Sequence, residues 1–157
     1  MLGSSPVVVT LPAVDIDRAK NFYAQVLGLR KVELPVPGDA ALFEAGQGTQ
    51  IFMYQREATK AEHTAATFVV ADIDEVVDGL AAKGVVFEQY DFGEIKTDER
   101  GIATMGSNKS AWFKDTEGNI IALVTMYAVT AIAKSAAMTR TARNVTSVTT
   151  GIVNATM

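Results

Sequence analysis

Two stretches of this chain repeat each other, and the repetition limits what it can fold into. Val14-Asp15-Ile16-Asp17 returns 57 positions later as Ala71-Asp72-Ile73-Asp74. Gly48-Thr49-Gln50-Ile51 returns 70 positions later as Gly118-Asn119-Ile120-Ile121. The first unit reads as strand, helix and three strands. Val7 to Leu11 is a largely β-branched run that Pro12 is expected to end. Asp15 can accept from free backbone N–H groups as a helix cap; Ile16, Ala19, Phe22, Tyr23 and Val26 recur at helical spacing, and Gly28 is the stop. Short strands follow at about Lys31 to Leu34, Ala40 to Glu44 and Gln50 to Tyr54, separated by Pro and Gly.

The second unit has the same grammar. Ala66 to Val70 reads as a strand and Asp72 as a cap. Ile73, Val76, Val77, Leu80 and Ala81 form an apolar helix face that ends before Gly84. Strands are expected at Val85 to Gln89, Ser110 to Lys114 and Asn119 to Thr125. The larger second offset places an insertion in the polar loop from Asp91 to Asn108. The reading is an α+β fold of tandem βαβββ modules, about 6–57 and 63–127, in one domain over 6–127. Repetition matters because one unit alone cannot bury both faces of its sheet. Residues 128–157 differ in composition: Lys134, Arg140 and Arg143 without an acid, among many Thr, Ala and Val. They read either as a flexible tail or as an extra element docking on a partner subunit.

With 48% apolar and 20% charged residues, the chain can build a core. A net charge of −4 argues against non-specific nucleic-acid binding, which needs a basic face. The absence of cysteine excludes a disulfide scaffold, a thiolate nucleophile and a Cys-rich zinc site. No apolar run approaches the roughly 20 residues that span a bilayer, and the N-terminus has no signal-peptide pattern, so no membrane association and a cytoplasmic location are expected. Nucleophile-elbow, phosphate-loop and dinucleotide-binding glycine patterns are missing.

The segment from Val14 to Tyr23, followed by Val26-Leu27-Gly28-Leu29, resembles the opening helix of the vicinal oxygen chelate superfamily, which holds glyoxalase I, extradiol dioxygenases and the fosfomycin- and bleomycin-resistance proteins. Trp112-Phe113-Lys114-Asp115-Thr116-Glu117-Gly118-Asn119 resembles its closing signature, an aromatic strand and Asp-Pro-Asp-Gly-Asn, with Thr116 where proline is usual. The resemblance covers about 6–126. It implies curved sheets forming an open cup, a small organic ligand, frequent use of a divalent metal, and pairing of chains as a homodimer. Motifs of this kind specify the fold more than the activity.

In the metal-binding relatives, each module supplies one ligand from its first strand and one from its last. Carried onto this chain, those positions are Val8 and Phe52 in the first module and Ala65 and Ala122 in the second. None has a side-chain lone pair for a cation, and a one-residue slip would turn each strand's side chains to the other face. The resemblance therefore implies no metal and no other cofactor. His63, the one histidine, stands two residues before Ala65; it is a candidate ligand with Glu57, Glu62 or a cup carboxylate, a candidate general base, or an ordinary strand-start residue.

Alternation from the vacant positions puts Thr10, Gln50, Phe52, Tyr54 and Thr67 on the cup face, with Trp112 as an aromatic wall if it points inward. Such a lining suits a small aromatic or amphipathic molecule; alternatively Phe52, Tyr54 and Trp112 fill the cup as core. The Asp91–Asn108 insertion is a lid or a solvated linker, and its adjacent Asp98 and Glu99 give no reason for coupled acid–base geometry. Three functions follow as expectations. One is a metal-independent protein that sequesters a small ligand. The second is a glyoxalase-like lyase or isomerase using His63, Tyr54 or a loop carboxylate. The third is a non-catalytic dimerisation or interaction protein.

Overall fold

A computed structural model describes residues 5–33, 39–93 and 95–125. The first module runs β1 (Val9–Ala13), α1 (Ile16–Asn21), a wider π turn (Phe22–Val26), β2 (Arg30–Val32), β3 (Ala40–Glu44) and β4 (Gln50–Gln55). The second runs β5 (Thr64–Val69), α2 (Ile73–Ala81), a hairpin of β6 (Asp91–Phe92) and β7 (Ile95–Lys96), then β8 (Ile102–Met105), β9 (Asn108–Lys114) and β10 (Ile120–Val124). The two four-stranded sheets have matching orders, β1-β4-β3-β2 and β5-β10-β9-β8. Each has a parallel pair at one edge and antiparallel pairs elsewhere.

The register carries the repeat residue by residue. Thr10 faces Phe52 and Phe52 faces Leu42 in one sheet; Thr67 faces Ala122 and Ala122 faces Trp112 in the other. Those are the same positions moved by 57 in the first strand and by 70 in the last two. Local chemistry repeats as well. Asp15 Oδ1 accepts from the N–H of Asp17 (3.1 Å) and Arg18 (2.9 Å), and Asp72 Oδ1 from that of Glu75 (3.1 Å), so each helix begins on its capping carboxylate. Gly28 and Gly84 end the helical segments at φ +72° and +90°, angles that cost a side-chain-bearing residue.

One face of each sheet builds the core. Leu11, Ala13, Phe43, Ile51 and Met53 are buried in the first module, and Ala66, Phe113, Ile121 and Leu123 in the second. Helix α1 and its π turn reach both sheets. Tyr23 stacks on Phe43 at 5.4 Å, while the Phe22 ring lies 6.4 Å from Phe113. The wider turn, with Leu27 N–H donating to Phe22 O at 3.0 Å, lets these two consecutive aromatics both be buried.

Four sequence expectations need correction. Pro12 does not end the first strand but lies inside β1, opposite Tyr54. Among the described residues β1 bonds only to β4, so the missing N–H falls on the outer edge, where proline is tolerated. Val85–Gln89 is not a regular strand: Phe87 forms a single bridge to Phe113, in the position of the Lys31–Phe43 pair of the first module. The insertion interrupts this edge strand, which resumes as β8 against β9. The Asp91–Asn108 segment is therefore not one polar loop, since it holds the hairpin and β8, whose Ile102 and Ala103 are buried. Finally, β5 starts at Thr64, leaving His63 outside the strand and exposed. The reading of 128–157 and the end of the Lys31–Leu34 strand lie outside the described residues.

Candidate functional site

The sheet faces turned away from the core carry the candidate lining. On the first sheet, β1 and β4 place Thr10 beside Phe52, and the Phe52 and Tyr54 rings stack at 6.5 Å and 13°. On the second, Thr67, Ala122 and Trp112 form one row across β5, β10 and β9. Thr10 and Thr67 are exposed, and Gln50, Phe52, Tyr54 and Trp112 are each partly exposed. None of the three aromatic rings is buried as core. Gln50 and Thr67 come together across the modules, lining a shared cavity of about 310 Å³ with Val9, Ile51 and the β3–β4 turn.

Sequence reasoning missed one aromatic group. Tyr90 lies edge-on to Trp112 at 5.4 Å and to Phe92 at 5.4 Å, so three rings run outward from β9 into the inserted hairpin. Phe92 is 58% exposed at its end. The signal was present as alternation in Gln89-Tyr90-Asp91-Phe92, hidden by reading this stretch as a polar loop.

The four positions implied for metal ligands do not offer a donor set. Val8 is exposed, Phe52 stacks on Tyr54, and Ala122 is buried in the middle of its row. Ala65 is the extra residue of a β-bulge, because Ile120 pairs with Thr64 and Ile121 with Ala66. Among the described residues no three His, Asp or Glu side chains gather where a metal ion could be held. The residues present thus do not fit the divalent ion used by metal-binding relatives. Asp98 has a local structural role: its Oδ1 accepts from Arg100 N–H (2.9 Å) and Ile102 N–H (2.9 Å), shaping the turn into β8.

The modules are joined by a buried polar clamp in the β9–β10 turn. Asp115 Oδ2 accepts from Tyr23 Oη (2.8 Å) and Asn119 Nδ2 (2.8 Å), while its Oδ1 accepts from the N–H of Glu117 (2.9 Å) and Asn119 (2.8 Å). Asn119 Nδ2 also reaches Pro12 O on the free edge of β1 at 3.0 Å. Glu117 Oε2 accepts from the N–H of Val14 (2.8 Å) and Asp15 (2.9 Å), and Arg18 grips both of its oxygens. Burial would raise the Glu117 carboxyl, but Arg18 and the backbone donors outweigh it and hold the group below the usual glutamate range. Burial first, then the neighbouring Asp115 charge and hydrogen bond, push the Tyr23 phenol far above its ordinary range.

Two βαβββ modules in register, with one open face on each sheet, define a glyoxalase-type α+β fold. The sequence agrees: residues 6–123 match the profile of the Glyoxalase/Bleomycin resistance protein/Dioxygenase superfamily, and the chain belongs to that superfamily. None of the curated proteins matches it. Among solved structures it is similar to the fosfomycin resistance protein FosX from Mesorhizobium loti, at 16% identity and TM-score 0.56, over 82% of this chain and 98% of that one. It is also similar to a lactoylglutathione lyase from Agrobacterium tumefaciens, at 21% identity and TM-score 0.56, over 78% and 95%. A third, an integron cassette protein from V. cholerae, shares 24% identity at TM-score 0.54, over 80% and 97%. At these identities the likeness concerns the fold alone. Among the described residues no helix is long and apolar enough to cross a membrane.

Proposed function

We propose that this chain is a metal-independent small-molecule-binding protein of the glyoxalase/bleomycin-resistance type, one that sequesters an aromatic or amphipathic ligand. The observation that carries the reading is the row of hydrocarbon and aromatic side chains where a metal-binding cup needs imidazole and carboxylate. Phe52 and Tyr54 supply one flat wall, Trp112 braced edge-on by Tyr90 supplies a second aromatic surface, and Thr10, Gln50 and Thr67 supply neutral polar contacts. Charged groups near these rows are paired with each other, Arg30 with Glu44 and Lys114 with Glu88, which favours a ligand recognised by stacking and hydrogen bonds. The open faces, with Val8 and Val69 exposed beside them, suit closure by a second copy of the chain in a homodimer. A cytoplasmic location fits the lack of cysteine.

Trp112 is the only tryptophan, so its fluorescence reports on the cup directly. Titration with planar aromatic antibiotics should give saturable quenching that is insensitive to chelator. Phe52→Ala should weaken it at least about ten-fold, the loss of a stacking wall worth roughly 1.4 kcal/mol. Stoichiometric nickel, zinc or iron retained by the purified protein and lost together with ligand binding on chelation would overturn the reading.

A further inference from the structure

The 310 Å³ cavity occupies the place that the polar clamp would take if the two modules were alike. The clamp turn Asp115-Thr116-Glu117-Gly118-Asn119 corresponds to Ala45-Gly46-Gln47-Gly48-Thr49 in the first module. The backbone geometry agrees: Asp115 N–H donates to Asn119 O at 3.0 Å and Ala45 N–H to Thr49 O at 2.9 Å. The second-module turn grips the free edge of β1 and the start of α1. The first-module turn faces the matching edge of β5, but its gripping side chains are gone. Ala45 stands for Asp115 and Thr49 for Asn119, and the Thr49 hydroxyl is engaged locally with Gly46 O at 2.7 Å. Leu80 stands for Tyr23.

What remains open is the edge of a strand. Four consecutive residues of β5, Ala66–Val69, line the cavity, although neighbours on a strand point to opposite faces; only the strand's edge presents them together. Val70 N–H donates to Val124 O at 2.9 Å, so by alternation Val69 and Thr67 turn their N–H and C=O groups the other way, toward the cavity. The opposite wall brings Thr49, Gln50 and Gln47. Gln47 is the one residue other than glycine at positive φ (58°) among the described residues, a conformation that costs energy. Among the described residues no charged side chain lines the space.

We infer that this unfilled joint is a second binding site, sharing only Gln50 and Thr67 with the aromatic cup, for a neutral ligand bearing a peptide-type amide. Such a ligand adds to the β5 edge as a strand would, giving an N–H to a backbone carbonyl and a C=O to a backbone N–H. The primary amides of Gln47 and Gln50 supply one further donor and acceptor each. Valine- or isoleucine-sized side chains match the Val9, Ile51 and Phe68 walls, and the volume holds one or two residues. The site differs from the aromatic cup in chemistry, since it reads a backbone amide and not a ring.

N-acetylvaline N-methylamide is the probe, titrated into the full-length ¹⁵N-labelled chain. Saturable amide shifts are expected at Thr67 and Val69 and at the Gln47 side chain, with a dissociation constant of roughly 1 mM, ordinary for so small a ligand. Thr49→Asn, which restores an amide of the length used by Asn119 to reach Pro12 O, should weaken binding at least about ten-fold, and Thr49→Ser should leave it unchanged. Independently of any variant, the corresponding methyl ester, lacking the terminal N–H, should bind about ten-fold more weakly to the unaltered chain. Shifts confined to Phe52, Tyr54 and Trp112, equal binding of ester and amide, or no shift up to the solubility limit would each overturn the assignment. The aromatic-ligand reading stands or falls separately on Trp112 quenching.

Discussion

Tyr23→Phe removes one oxygen atom from the joint between the modules, and the structure fixes both the size and the pH signature of the loss. The Tyr23 side chain has no exposed surface, and its hydroxyl donates to Asp115 Oδ2 at 2.8 Å. Hydrogen bonds to charged groups contribute about 1.5–3 kcal/mol. Asp115 keeps three other donors in the variant, so the lower end applies and a loss of about 2 kcal/mol at pH 7 is expected. The alkaline behaviour follows from linkage. A phenol whose folded pKa is raised contributes stability that is complete below its unfolded value, about 10, and that is lost as pH rises above it. Between pH 9 and pH 11 the unaltered chain should lose about 1.4 kcal/mol through this one group. The variant has no phenol to ionise there, so the gap between the two proteins should narrow from about 2 to roughly 0.6 kcal/mol. Urea unfolding of both proteins at pH 7, 9 and 11 measures it. A cost below about 0.5 kcal/mol at pH 7, or a gap constant from pH 9 to 11, would refute the account of a buried clamp.

The remaining predictions concern the same frame. Glu117→Gln should cost about 1.5–3 kcal/mol in denaturant unfolding, because the amide cannot serve Arg18 and two backbone N–H groups together. The Glu117 pKa is depressed, so its contribution is present above the unfolded value, about 4.3, and fades as pH falls through the lower folded one; the two proteins should converge below about pH 4. Convergence at neutral pH would contradict this. Gly101→Ala should destabilise by about 2–4 kcal/mol, since φ is +83° and a Cβ there would lie 2.6 Å from Phe87 Cβ. A shift under about 1 kcal/mol would mean that the edge strand can relax around the insertion.

How much of this was legible in the sequence depended on what the chemistry repeats. Asp15 and Asp72 announce their helices because a carboxylate one residue before an apolar period has a specific backbone to cap. The strands β3, β4, β9 and β10 are visible because one face is core and the other is not, which forces alternation. Pro12 misled because proline's meaning depends on whether its strand is central or at an edge, and a single strand does not carry that information. The hairpin and β8 were hidden for a similar reason. Their strands are too short to show alternation, and Ile102 and Ala103 gain their burial from contact with β9 rather than from any local pattern. The lining residues Thr10, Phe52, Thr67 and Trp112 were found by register alone, whereas Tyr90 belongs to the site only because the insertion folds back over Trp112.

The asymmetry between the modules explains why the chain can be both a firm fold and an open receptacle. A duplicated unit has two equivalent joints, and a structure with both joints clamped would hold its sheets together on each side. Here one joint concentrates the polar contacts, Asp115, Glu117 and Asn119 gathering Tyr23, Arg18, Pro12 and the first turn of α1. The other has Ala45, Gln47 and Thr49 and leaves a space in their place. Buried polar groups stabilise only when every partner is present, so the equivalent substitutions had to remove the whole set and not one member. The free edge of β5 is the consequence. An exposed edge is a hazard for aggregation unless it is shortened, charged or occupied. β1 meets this with Pro12 and Asn119; among the described residues β5 has no such device on Thr67 or Val69, and an edge of that kind is suited to occupation by a ligand.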